Sequence, residues 1–155
     1  QYRFGGHMTR EMELSPDGTH IAYVVSSSQR LMLVDVETME VTQLYNPLSN
    51  SRIDDIQWFP DGRHILGTET EWDDNVYVRY NIRVIDALTG EVHQIGQVAG
   101  NVSLIQLSPD GRWITIERTV GPYIETKIMY VAGGQSYQTL PDHLASYKSI
   151  WIYLP

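Results

Sequence analysis

Apolar and polar positions alternate along most of this chain. Met12-Glu13-Leu14, Ile56-Gln57-Trp58 and Ile105-Gln106-Leu107 each set one polar residue between two apolar ones. A period of two marks a strand with one face buried. Each stretch runs straight into a turn: Ser15-Pro16-Asp17-Gly18, Phe59-Pro60-Asp61-Gly62 and Ser108-Pro109-Asp110-Gly111. Pro presets φ at the first central position, Asp bonds its own following backbone, and Gly accepts a positive φ. Beyond each turn comes a run rich in β-branched and aromatic residues, at 20–25, 64–68 and 113–117, as a second strand should be. A third run follows at 31–36, 82–86 and 127–131, then a second turn, then a fourth run at 41–44, 92–95 and 137–140. No stretch sustains a 3.6-residue period. Residues 145–150 could form one helical turn at most.

The turn prolines stand 44 and 49 residues apart. Self-similarity at that spacing points to stacked units. Four short strands per unit are the pattern of a β-propeller blade. A sandwich also turns every 8 to 12 residues or so, but does not demand three equivalent tetrapeptides. The expected fold class is therefore all-β: a partial β-propeller of three four-stranded antiparallel blades, at about 9–45, 52–96 and 102–140, within one propeller region spanning 1–155. Incomplete strands are expected at both ends. Gln43, Gln94 and Gln138 share a column 15 or 17 residues ahead of the next turn proline, and Gln1 lies 15 ahead of Pro16. Residues 1–4 thus read as the last strand of a preceding blade. Residues 149–155 read as the first strand of a following one. Closed rings usually need four or more blades. Two expectations follow: a fragment of a longer propeller, or half of a ring that a second copy completes.

These repeats resemble the WD-like β-propeller repeat of the TolB family, whose blades carry a W-S-P-D-G-x-x-I-A-F/Y core. The matching segments are Leu14 to Tyr23, Trp58 to Leu66 and Leu107 to Ile114. Phe59 departs from the pattern, and only the second copy has the leading Trp. Asp35 and Asp86 match the family's I/V-x-V-x-D segment, which is lost in the third copy at Tyr130-Val131. The resemblance implies the fold. For function it implies only a range: TolB-like interaction modules, the propellers of prolyl-oligopeptidase-type and tricorn-type peptidases, and bacterial envelope and signalling proteins. A periplasmic or extracytoplasmic location rests on the resemblance alone.

Composition narrows the chemistry. The net charge of −8 argues against nucleic acid and anionic membranes, which need clustered Lys and Arg. With no Cys there is no disulfide, thiolate nucleophile or Cys-ligated zinc. No apolar run approaches the roughly 20 residues of a membrane span. The five His show no metal-binding spacing, and each Asp-Gly turn offers one carboxylate where a calcium loop needs several. No G-x-S-x-G elbow or phosphate-binding Gly loop occurs. No catalytic residue, metal or cofactor is therefore expected. Asp54-Asp55 is the one carboxylate pair on an inner strand. Such a pair could raise one pKa or hold a cation, although Arg10-Glu11 and Ser103-Leu104 in the same columns break any ring of acids.

Loop length points to one face. The connection between second and third strands is short in the first unit. In the second unit it reads as longer, with Trp72, Asp73, Asp74 and Tyr77, and the third has Gly121-Pro122-Tyr123. Long loops on one face are where binding tends to reside, and Trp and Tyr are favoured anchors. The expected function is a non-catalytic module that binds a protein partner through Trp72, Asp73, Asp74, Tyr77 and Tyr123. Two alternatives stay open: a substrate-gating propeller of a peptidase whose catalytic domain lies elsewhere, and small-ligand or carbohydrate binding.

Overall fold

The computed structural model describes residues 2–4, 7–73, 76–133 and 137–139, with side chains for Thr9, 11–72 and 79–132. Among these residues there is no α-helix. Thirteen strands form three antiparallel sheets. The first holds β1 (Tyr2–Phe4), β2 (His7–Leu14), β3 (His20–Val25), β4 (Leu31–Asp35) and β5 (Val41–Tyr45). The second holds β6 (Ser51–Trp58), β7 (His64–Asp73), β8 (Val76–Asp86) and β9 (Val92–Val98). The third holds β10 (Asn101–Leu107), β11 (Trp113–Val120), β12 (Tyr123–Tyr130) and β13 (Tyr137–Thr139). Within each sheet the strands pair in the order of the sequence. The sheets do not close into a ring; this is a partial β-propeller.

Three features depart from the sequence pattern. Tyr2–Phe4 does not stand as the edge of another unit: it pairs with His7–Thr9 and gives the first sheet a fifth strand. The segment around Trp72 is no long loop. β7 and β8 run on as paired strands through Trp72↔Tyr77 and Asp73↔Val76, with opposite charges facing across the ladder where Glu71 pairs with Arg79, Oε2 to Nε 3.2 Å. Gly121-Pro122 is likewise a tight turn between the paired residues Val120 and Tyr123. The strand expected at 149–155 lies outside the described residues.

Two cores separate the sheets. Between the first and second, Ala22, Val24, Leu31 and Leu33 meet Ile53, Ile56, Ile65 and Ile85. Between the second and third, Leu66, Ile82 and Val98 meet Ile105, Leu107, Ile114, Ile116 and Met129. Ile65 and Leu66 are neighbours in one strand yet lie in different cores, as a strand buried on both faces requires. Each such side chain contributes roughly 1.5–3 kcal/mol on burial.

The Pro-Asp-Gly turns close the β2–β3, β6–β7 and β10–β11 hairpins. Gly18, Gly62 and Gly111 have φ of 74°, 66° and 71°, and their N–H groups donate to the carbonyls of Ser15, Phe59 and Ser108 at 2.9, 3.1 and 2.9 Å. The turns also stack from sheet to sheet. A Cβ on Gly62 would lie 3.6 Å from the Asp17 carboxylate, and one on Gly111 would lie 2.8 Å from Pro60 Cδ.

Candidate functional site

Each sheet has a turn end, with the Pro-Asp-Gly hairpins, and a hairpin end, where β3–β4, β7–β8 and β11–β12 reverse. At the turn end every Asp serves the backbone. Ser15 Oγ donates to Asp17 Oδ1 at 2.6 Å, and Thr19 N donates to the same oxygen at 3.0 Å. These bonds, the serine's first, hold the Asp17 pKa down at about 2. Ser108 and Arg112 N repeat the arrangement on Asp110, whose pKa is lowered by the same kind of bonds. Where Phe59 replaces the serine, Asp61 instead accepts from His64 N at 3.0 Å and faces His64 Nδ1 at 2.6 Å. Asp86 receives Arg63 Nη2 at 2.6 Å and the amides of Leu88 and Thr89, which depress its pKa strongly, the Arg63 bond most. These carboxylates are occupied by turn chemistry.

The hairpin end is built differently in each sheet. Trp72 N donates to Asn50 O at 2.9 Å, and Asn50 Nδ2 donates to Trp72 O at 3.2 Å. That exchange ties the β7–β8 hairpin to the connection leading into β6. Trp72 is half-buried, and the Arg52 guanidinium lies 4.8 Å from its ring centroid, a cation–π distance. Arg52 Nε then donates to Asp54 Oδ1 at 2.5 Å, and Thr70 Oγ1 donates to Asp54 Oδ2. The predicted anchor Trp72 and the predicted pair Asp54-Asp55 are thus joined through Arg52, which sequence reasoning did not pick out. Asp73 and Tyr77 lie in the paired strands of the same hairpin, their side chains outside the described residues; Asp74 lies outside them altogether. Tyr123 is on the next hairpin and is 74% exposed, beside Ile124 at 57% and the exposed Val120. Among the described side chains this is the most apolar exposed tip at the hairpin end.

A cleft of about 140 Å³ lies between the second and third sheets, lined by Asp54, Asp55, Thr68, Tyr80, Ser103 and Leu104 among others. It adjoins a more open one of about 500 Å³ that adds Gln57, Gln106 and Glu117. Burial pushes the Asp55 pKa up, partly offset by the Gln57 amide that donates to it at 3.2 Å; nearby Asp54 raises it further. Burial, then the charge of Asp55, raises Glu13 as well. The raised carboxyl expected of the pair is Asp55. Its companion Asp54 is the salt-bridged member.

One polar cluster was missed from sequence. Glu69, 2% exposed, accepts from Ser51 Oγ at 2.7 Å, Tyr45 OH at 3.0 Å and Arg83 Nε at 2.5 Å. It pins the first sheet to the second. Burial, with Glu69 beside it, raises the Tyr45 pKa to about 12. The available signal was phase: Ile65, Gly67 and Glu69 share one face of β7, so Glu69 had to enter the core between sheets.

No protein-family model matches the sequence, and no curated protein sequence does. Solved structures do resemble it in fold. The chain superposes on an oligogalacturonate lyase from Vibrio parahaemolyticus with a TM-score of 0.68 at 18% identity, covering 85% of this chain and 39% of that one. It superposes on the Pyrococcus horikoshii acylaminoacyl peptidase with a TM-score of 0.68 at 18% identity, covering 86% of this chain and 25% of that one. The tricorn protease matches with a TM-score of 0.61 at 12% identity over 79% of this chain and 13% of that one. The chain therefore spans well under half the length of these proteins, and the shared feature is the β-propeller fold.

Proposed function

We propose that this chain is the propeller part of a non-catalytic interaction module that binds a protein partner through its hairpin end. The observation that carries the reading is the apolar tip of Val120, Tyr123 and Ile124, exposed on a paired hairpin. A rigid strand pair presents an aromatic anchor with little ordering cost, which is what an interface hot spot needs. Trp72 stands on the adjacent hairpin of the same end, and the proposal extends to Asp73, Asp74 and Tyr77 from the sequence alone. The TolB-like resemblance of the repeats supports this reading and would place the protein in the cell envelope. The test is affinity capture with immobilised chain: a bound protein lost on Tyr123→Ala with Ile124→Ala supports the reading, and one retained on that variant refutes it.

A second reading has a specific observation behind it. Two of the structural neighbours are an acylaminoacyl peptidase and the tricorn protease. The chain would then be the substrate-gating propeller of a peptidase, with the cleft at Asp55 lining the passage and the catalytic groups elsewhere in the protein. A hydrolase segment in the same gene would select it. The oligogalacturonate lyase neighbours keep carbohydrate binding as a third reading, with Trp72 and Tyr123 as stacking platforms. Glycan-array binding lost on Trp72→Ala would select that one.

A further inference from the structure

The chain's charge is divided unevenly between its two ends. The turn-end segments 15–19, 35–40, 59–63, 86–91 and 108–112 carry eight carboxylates against two arginines, a net −6 of the chain's −8. At the hairpin end of the second and third sheets, the charged side chains among the described residues are paired with one another. Arg52 meets Asp54 at 2.5 Å, and Arg79 meets Glu71 at 3.2 Å. Glu125 takes Arg118 and, at 3.8 Å, Lys127. Pairs of this kind add little stability, but they leave few charges free to meet a partner.

The same end exposes large apolar side chains. Tyr123, Ile124 and Val120 form its tip on the third sheet. Leu48, in the connection between β5 and β6, is 67% exposed. Its backbone is held in place: the Leu48 carbonyl accepts from Ser51 N at 3.0 Å and from Ser51 Oγ at 3.2 Å, and Asn50 exchanges two bonds with Trp72. The third sheet has a similar fastening, with Arg118 Nη1 donating to Ala99 O at 3.2 Å. Each connection is thereby tied to the hairpin that follows it.

Leu48 and Tyr123 stand on different sheets, so their separation depends on how those sheets are joined. Gln57 of β6 donates from Nε2 to Ile105 O at 2.8 Å and accepts at Oε1 from Leu107 N at 2.9 Å. Its carboxamide thus bonds the edge of β10 as a neighbouring strand would. The apolar core of Leu66, Ile82, Ile105 and Ile116 fills the space between the two sheets. The anchors are therefore presented at a fixed spacing, which lowers the ordering cost of binding.

We infer that the occupant of the hairpin end is an uncharged, apolar segment of the partner, seated on Tyr123 and Ile124 of the third sheet and on Leu48 of the second. This rests on the proposed binding of a partner at that end. A charge buried there by the partner would lose its hydration without gaining a counter-ion, because the nearby guanidinium and carboxylate groups already hold one another. A basic segment would be steered to the turn end instead, where the negative excess lies. Asp73 and Asp74 then belong to the rim, where charge affects the rate of association more than its strength.

A random peptide library displayed on phage and panned on the immobilised 155-residue chain tests this. The selected peptides, synthesised and measured by fluorescence anisotropy, should be apolar and free of net charge. Their affinity should change less than about threefold between about 0.05 and about 0.5 M salt. Leu48→Ser should weaken them about tenfold or more, whereas Leu88→Ser, at a similarly exposed leucine of the turn end, should not. Both leucines are exposed, so circular dichroism of the variants should match wild type. Peptides that lose affinity on Tyr123→Ala with Ile124→Ala, yet are charged, salt-sensitive or indifferent to Leu48→Ser, would overturn the inference while leaving the hairpin end as the binding site. A library that yields no peptide dependent on Tyr123 and Ile124 would overturn it as well; whether that end binds a partner protein at all is decided separately, by affinity capture with the same double variant.

Discussion

At the turn end all three sheets carry the same Pro-Asp-Gly turn, and each touches the next through it; at the hairpin end no two sheets are alike. The turn end uses its carboxylates on backbone amides and its glycines on close approach. The hairpin end varies from a short reversal in the first sheet to strands of 10 and 11 residues in the second, and exposes Tyr123 in the third. The contrast teaches that repetition here marks structure, and departure from the repeat marks where a surface is free to specialise. Asp is abundant at both ends, so residue type does not separate them. What the carboxylate is bonded to does.

The largest expected loss of stability lies at neither end but midway along β7, where a buried, ion-paired carboxylate joins two sheets. Glu69→Ala would leave the part-buried Arg83 without its partner and remove the bond from Tyr45 that ties the first sheet to the second, and should cost about 3–5 kcal/mol in urea unfolding. At the turn end, Gly111→Ala adds left-handed strain and a Cβ at 2.8 Å from Pro60, together about 2–4 kcal/mol. Gly18→Ala meets open space and should cost only the strain, about 1–2 kcal/mol. Equal losses at the two glycines would mean that the turns do not pack on one another.

The two groups of carboxylates should also respond oppositely to pH. Asp17, Asp35 and Asp110 have folded pKa values below their unfolded ones. Their contribution is present above the unfolded value near 4 and fades as pH falls toward about 2. Asp55 has the reverse shift, so its contribution is present below the ordinary carboxylate pKa and is lost as pH rises through the raised value. Asp55→Asn should therefore stabilise the chain at neutral pH and lose that advantage at about pH 3. A gain of equal size at both values would contradict the burial of Asp55. The smallest expected effect on stability is Tyr123→Ala, within about 0.5 kcal/mol of wild type.

The hairpins of the turn end were legible in sequence because Pro, Asp and Gly act locally, within four residues. The stacked-sheet architecture followed from their period. Less legible was anything decided by a neighbour in space. The carboxylate pair could be seen at Asp54-Asp55, but which member would be salt-bridged depended on Arg52 and Thr70, and which would be raised depended on burial against the third sheet. The acids and aromatics around Trp72 suggested a loop because each alone favours solvent. Paired across β7 and β8, they continue the ladder. Counting residues put Tyr2–Phe4 in another unit, whereas the closest available edge, at His7–Thr9, took it. Gln57 looked like any polar residue in an alternating strand; only the distances to Ile105 and Leu107 show its carboxamide acting as a piece of sheet.

The central claim is that binding belongs to the hairpin end and structure to the turn end. Each end exposes an apolar pair: Tyr123 and Ile124 at one, Met39 and Leu88 at the other. Affinity capture with the two double-alanine variants side by side compares them directly. The account predicts that the captured protein is lost with Tyr123→Ala and Ile124→Ala and kept with Met39→Ala and Leu88→Ala. Loss with the turn-end pair and retention with the hairpin pair would contradict it.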